Sequence, residues 1–252
     1  MHFPIIFLYI LFNFTLKIMP KIRIYLEKEI MKDEKILLDS NHTHYLKNVM
    51  RKESGDFIYA FNDLVEWKCK INFVQNDFIV PFEFIRHKKK IEDIWICFSL
   101  IKKSGIKNLI QKVSEIGVVN IIPMITEHSE KLSLANEKLK KISIEATEQC
   151  DSLNVPKISE TQSLENLLDK WEKDRLIFFC DETGGENILN FKSKLNDYKK
   201  FAIFIGPIGG WSQNDKKNII KENIVKINLG QNILKADTAA IYTLSCLKAL
   251  MQ

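Results

Sequence analysis

An α/β domain built on a parallel sheet, preceded by a small β-barrel domain, is the architecture this sequence predicts. Three observations carry that expectation. Short β-branched and aromatic runs, separated by Asn and Asp turns, fill the chain from Lys21 to about Ile85. The basic run Arg86-His87-Lys88-Lys89-Lys90 then marks a linker, solvated or in contact with phosphate. Beyond it, strand-length apolar runs alternate with segments of helical spacing, the pattern of a parallel sheet covered on both faces. The 252 residues suffice for one large or two modest domains. The boundaries expected are an apolar extension over 1–18, a β-barrel domain over 19–90 and an α/β domain over 91–252.

In the first domain the expected strands are Ile22–Leu26, Lys35–Leu38, Asp56–Phe61, Val65–Val74 and Phe78–Ile85, with one helix over about Asn41–Met50. A barrel of this size forms a separate unit. In the second, Ile94–Ile101 reads as a strand. Ile106, Leu109, Ile110, Val113 and Ile116 then fall at helical spacing, with Gly117 as the residue after the helix end. Val118–Ile125 is the next strand and Asn136–Cys150 the next helix. Further strands are expected at Leu176–Cys180, Phe201–Ile205 and Ile224–Leu229, and a last helix from Thr238 to Met251.

The totals exclude little. Hydrophobic content of 46%, charged content of 27% and a net charge of +5 are ordinary globular values with a mild basic excess. That excess permits a polyanionic partner and equally fits a solvated Lys-rich surface. Cys69, Cys97, Cys150, Cys180 and Cys246 form no C-x-x-C pair and mostly lie in apolar surroundings. They read as reduced core residues, which points to the cytoplasm and away from a zinc site; no metal is expected. Phe3 to Leu16 is almost entirely apolar, yet shorter than the ~20 residues of a spanning helix. It also lacks a basic n-region and a cleavage site. A signal-peptide core, a weak anchor and a start set too early, with Met19 as the natural beginning, all stay open; the last is favoured. No membrane is expected unless residues 1–18 are translated and retained.

Two loops stand out. Phe201–Ile205 runs into Gly206-Pro207-Ile208-Gly209-Gly210-Trp211-Ser212, where Ser212 and Asp215 make a capping-box start for the next helix. The following strand runs into Leu229-Gly230-Gln231-Asn232-Ile233-Leu234-Lys235-Ala236-Asp237-Thr238. Neither is a nucleotide fingerprint, and no G-x-x-x-x-G-K-[ST] occurs. Each is either a tight structural turn or a place where a ligand lies against bare backbone. Ligands of parallel sheets sit beyond the carboxyl ends of the strands, where both loops fall.

Four stretches resemble one family. His44-Tyr45-Leu46-Lys47-Asn48-Val49-Met50-Arg51 with Gly55-Asp56 is similar to H-x-L-x-x-V-L-R…G-D. Gln111–Val118, with Ile122-Pro123 and Thr126-Glu127, is similar to Q-K-x-x-E-L-G-V…P-x-x-T-E. Glu145–Cys150 with Val155-Pro156 is similar to E-A-x-E-Q-[SC]…V-P, and the two loops to I-G-P-E-G-G-[FW]-S and L-G-x-x-[IV]-L-R-x-E-T-A. In that order and spacing, from about Lys21 onward, the chain resembles the RsmE ribosomal-RNA uridine-N3 methyltransferases of the SPOUT superfamily.

The resemblance implies a PUA-like RNA-binding barrel, an α/β domain with a trefoil knot, and a homodimer. The activity it implies is S-adenosylmethionine-dependent methylation of N3 of a uridine in 16S ribosomal RNA of the small subunit. Cofactor contacts would fall on Gly206, Gly209, Gly210, Leu229, Gly230, Ile233 and Leu234, largely through backbone. For the reaction, Lys235 is expected as charge stabiliser and Asp237 as orienter or base, with Thr238, Glu148 and Gln149 nearby. Asp237 and Thr238 equally suit helix capping, and Glu148 and Gln149 a polar helix face. His44 and Arg51, taken as seven apart on one helix face, and Lys102 and Lys103 are candidate RNA contacts, or simply local hydrogen bonding and solvated lysines.

The chain departs from the pattern at Ile208 for Glu, Lys235 for Arg, Asp237 for Glu and Ser152 for Arg. Arg to Lys loses the planar bidentate fork, and Ile208 accepts no hydrogen bond. These losses keep open a catalytically degenerate RNA-binding relic, or a knotted methyltransferase with another target.

Overall fold

The computed structural model describes residues 21–252, so the readings of residues 1–18 and of a Met19 start lie outside the described residues. The described residues form two compact units, one ending at His87 and one running from Lys88 to Gln252.

In the first unit, β1 (Arg23–Tyr25), β2 (Ile36–Leu37), β3 (Phe57–Phe61), β4 (Val65–Asn72) and β5 (Phe78–His87) form one sheet in the order β1-β3-β4-β5-β2. Strand alternation sends Ile58, Ala60, Cys69, Ile71 and Ile79 to a shared core with Ile24 and Leu46. A small β-barrel was expected; the described strands pair as one five-stranded sheet with β1 and β2 at its ends. Those two strands span three and two residues.

Helix α1 (Ser40–His44) starts on Asp39, whose carboxylate accepts from the His42 N–H, and continues as a π-helical turn over Tyr45–Val49. Met50 caps that turn, and Arg51 lies past it with φ of 51°. The expectation that His44 and Arg51 share a helix face is therefore corrected. The widened turn ends the helix early and Arg51 takes left-handed backbone. The linker also begins later than expected, because Arg86 and His87 still belong to β5. A buried carboxylate explains it. Glu66 accepts from Arg23 Nε at 2.7 Å and from Arg86 Nε at 2.6 Å, with its own side chain fully buried.

In the second unit, β6 (Asp93–Ser99), β7 (Asn120–Ile125), β8 (Lys157–Ile158), β10 (Arg175–Cys180), β11 (Glu186–Asn187), β12 (Lys200–Ile205) and β13 (Ile224–Asn228) pair in the order β11-β13-β10-β12-β6-β7-β8. Short β9 (Gln162–Ser163) lies beside β7, and every pairing in this sheet is parallel. Central strands covered on both faces read as unbroken apolar runs, which is why β10 and β12 were visible in the sequence.

On one face Ile94, Ile96, Phe98 and Ile203 pack with α2 (Lys103–Ile116), α3 (Asn136–Gln149) and α6 (Ala236–Leu250). On the other, Cys97, Ile177, Phe179 and Phe204 pack with α4 (Leu164–Asp169) and α5 (Gln213–Ile219). Arg175 is fully buried at the amino end of this sheet. Its guanidinium pairs with both oxygens of Asp93 at 3.0 Å, donates to Glu172 and the Phe201 carbonyl, and stacks 3.6 Å from the Trp95 ring centroid.

Removing Glu66 takes away the buried carboxylate that the Arg23 and Arg86 guanidiniums share. Glu66→Ala is expected to destabilise the protein by about 3–5 kcal/mol, read as a lower urea midpoint in circular dichroism. An unchanged midpoint would contradict the buried ion-pair reading.

Candidate functional site

Parallel pairing delivers the carboxyl ends of β6, β12, β10 and β13 to one edge of the sheet. The loops that leave them, with the first turns of α2 and α6, enclose a pocket of about 720 Å³. That volume suits a small organic ligand.

The loop after β12 is shaped by close approach. A Cβ on Gly206 would lie 2.7 Å from Nε1 of Trp211, so the indole rests against a bare Cα. The same Nε1 donates to the Cys180 carbonyl at 2.8 Å, and the ring packs 5.1 Å from Phe179. Gly210 has φ of 73°, and a Cβ there would meet the Glu182 carboxylate. The expected capping box is present: Ser212 Oγ accepts from the Asp215 N–H, and Asp215 accepts from the Ser212 N–H. In the loop after β13, Asn228 Oδ1 accepts from the Gly230 N–H at 2.8 Å, and Gly230 has φ of 111°. Lys235 is exposed just before α6.

Asp237 reaches across to α2. Its Oδ2 accepts from the Asn108 side-chain amide at 2.8 Å and its Oδ1 from the Thr238 N–H at 3.0 Å. Asp181, after β10, is buried against two ammonium groups, Lys216 and Lys226, each 3.0 Å away. Burial alone would raise the Asp181 carboxyl. Bonds from Lys226, the Thr183 N–H, Lys216 and the Thr183 hydroxyl outweigh it and hold the group below the ordinary carboxylate range. The Cys180 thiol is pushed up to about 12, by burial first, with its bond to Thr243 opposing. It therefore stays protonated and is no nucleophile. Among the described residues no group of three or more His, Cys, Asp or Glu is arranged to hold a metal ion.

Of the residues singled out from sequence, the pocket brings together Gly206, Gly210, Leu229, Gly230, Ile233, Leu234, Lys235, Asp237 and Lys102. Others do not line it. Gly209 faces the side chain of His128 instead, 3.3 Å from where its Cβ would sit. Thr238 and Lys103 are exposed outside it, and Glu148 and Gln149 occupy the last turn of α3, which packs on α2. His44 and Arg51 are exposed in the first unit, where His44 Nδ1 lies 3.0 Å from the Asn48 amide. Pocket residues that sequence reading passed over include Asn108, Asp181 and Glu182. A signal existed for the last two, since Asp181-Glu182-Thr183-Gly184-Gly185 follows the carboxyl end of a strand as the other two loops do.

Gly206→Ala is expected to push the indole off the Cys180 carbonyl. The cost is about 1–3 kcal/mol in urea unfolding, with a shift in tryptophan emission. For Asp181, whose carboxyl is depressed in the folded state, the stabilisation is complete above the ordinary carboxylate range of about pH 4. It is lost as pH falls through the lower folded value. The stability gap between wild type and Asp181→Asn should thus be constant from pH 5 to 7 and shrink on acidification; a gap that widens in acid contradicts this assignment.

Comparison with known proteins adds a family and a fold. Residues 87–248 match the family described as RNA methyltransferase domain. The ribosomal RNA small subunit methyltransferase E of Rickettsia conorii is 31% identical, over 90% of this chain and 95% of that protein. The protein of the same name from Bacillus subtilis is 26% identical over 83% and 88%. The crystal structure of a ribosomal RNA small subunit methyltransferase E from Neisseria gonorrhoeae bound to S-adenosyl methionine has the same fold. Its TM-score is 0.81 at 19% identity, covering 91% of this chain and 98% of that one.

Proposed function

This chain belongs to the RNA methyltransferase family, and from that premise we propose that it transfers the methyl group of S-adenosylmethionine to N3 of a uridine in 16S ribosomal RNA of the small subunit. The observation that carries this reading is the pocket at the carboxyl ends of the strands, walled by the loop around Gly206 and Gly210 and by the loop around Gly230, whose Cα faces open space. Its residues suit that cofactor. The volume fits, nothing lies within 4 Å of where a Cβ on Gly230 would sit, and the exposed Glu182 offers a carboxylate to a ligand with two cationic groups.

When bound, S-adenosylmethionine supplies an electrophilic methyl carbon on a sulfonium. Main-chain groups of the loops around Gly206, Gly210 and Leu229–Leu234 would hold and bend it, which aligns that carbon with the incoming base. As the N3 imide proton passes to water, negative charge grows on the uracil oxygens, and the Lys235 ammonium at the pocket wall is the group suited to stabilise it until N3 takes the methyl group from sulfur. Asp237 has both oxygens engaged, by Asn108 and by the Thr238 N–H, and acts as an orienter of the loop rather than as the base. Thr238 serves through its backbone in that arrangement.

We further infer the trefoil knot, the PUA-like character of the first unit, the homodimer and a cytoplasmic setting. Strand order supports the knot: β13 pairs on the far side of β10 from β12, so the α5 connection must cross β10. Five free cysteines support a reducing compartment. Among the described residues no helix is long and apolar enough to cross a membrane. A second reading, the degenerate RNA-binding relic, draws on Ile208, which is 68% exposed where the family carries a carboxylate.

Titration calorimetry with S-adenosylmethionine should give saturable heat, and a reverse-transcription stop in 16S ribosomal RNA should vanish when the gene is deleted. Heat without any lost stop would leave the relic standing. Lys235→Met is expected to lower kcat by about 10²–10³ with cofactor affinity unchanged; an equal loss of affinity would move Lys235 from the reaction to cofactor binding.

A further inference from the structure

The outer face of the β3-β4-β5 sheet carries aromatic rings that the core does not use. Phe57 is 49% exposed and Phe82 36%, and their centroids lie 5.4 Å apart. Phe82 owes its place to a bulge. Lys68 pairs with Glu83 and Cys69 with Pro81, so Phe82 is the extra residue and turns outward beside Phe57. Between and beside the rings the same face carries lysines. The register sets Lys70 opposite Phe57 and Lys68 opposite Tyr59. Lys68 Nζ sits 5.2 Å from the Phe57 centroid and 5.7 Å from that of Phe82, and Lys21 Nζ sits 5.2 Å from that of Tyr59. Glu83 is the acid beside them, 3.5 Å from Lys68 Nζ.

We infer that this face, Phe57, Tyr59 and Phe82 interleaved with Lys21, Lys68 and Lys70, is a stacking platform for unpaired bases of the RNA substrate. Exposed π-faces take bases without regard to sequence, and ammonium groups at strand spacing follow the phosphates that link them. A duplex hides its base faces, so it would use only the lysines. A second copy of this chain is a poor occupant, because two such faces together would oppose lysine to lysine. The choice of RNA as occupant rests on the methyltransferase reading; the platform geometry does not.

The test is fluorescence anisotropy of the full chain with a labelled single-stranded oligouridine, across a salt series. Phe57→Ala and Phe82→Ala should each weaken binding about fivefold or more. Phe57→Leu, which keeps apolar bulk but no π-face, should behave like the alanine variant, and Phe57→Trp should bind at least as well as wild type. Lys70→Ala should lower the slope of log affinity against log salt by about 0.7. Leucine binding like wild type, or a duplex of equal length binding as tightly as the single strand, overturns the platform. Calorimetry with S-adenosylmethionine on each variant separates the two readings. Normal cofactor heat with unaltered RNA binding sinks the platform alone, whereas absent heat in the wild type sinks the methyltransferase reading and leaves the aromatic dependence to be judged directly.

Discussion

The contact on which the site depends is the indole of Trp211 lying against the bare Cα of Gly206. Its Nε1 hydrogen bond to the Cys180 carbonyl joins the end of β12 to the end of β10. Neither half works alone. Without a glycine the ring has no room, and without the ring the buried carbonyl loses its donor. Because Phe179 backs the indole, the loop after β12 cannot relax away from the sheet. The turn at Gly210 is left-handed, and the Glu182 carboxylate lies against its bare Cα at the wall of the pocket.

Charge at the site is arranged in two tiers. Asp181 is sunk and saturated by two ammonium groups, so it serves as a fixed strut between β10, β13 and α5. Lys235 and Lys102, by contrast, are exposed at the pocket wall. Asp237 lies between these extremes, held by Asn108 of α2, a partner 129 residues earlier in the chain.

Much of this was legible from residues alone, for definite reasons. Strands buried on both faces leave unbroken apolar runs, so β6, β10, β12 and β13 could be read directly, and the glycines after β12 and β13 marked the corners. What escaped was either short or distant. Two-residue strands such as β8 and β11 have no periodicity to detect. The Asp181 cluster joins residues 35 and 45 positions apart by number, and nothing local announces it. Arg51 was misread because a single five-residue π-helical turn, with only Leu46 buried, is too short to carry a period that separates it from an α-helix. Glu148 and Gln149 were singled out by likeness to a pattern, and in the last turn of α3 they do not line the pocket.

Arg175 sits at the opposite end of the same sheet from the pocket. Its guanidinium grips the first residues of β6, β10 and β12 together. Since alternate residues on these strands belong to two different cores, sliding any one strand by a single position would exchange its inner and outer sides. The sheet therefore resembles a fan riveted at its handle. Its ribs hold station at one end, and the far rim is left free to be recut, loop by loop, while the blades stay in line.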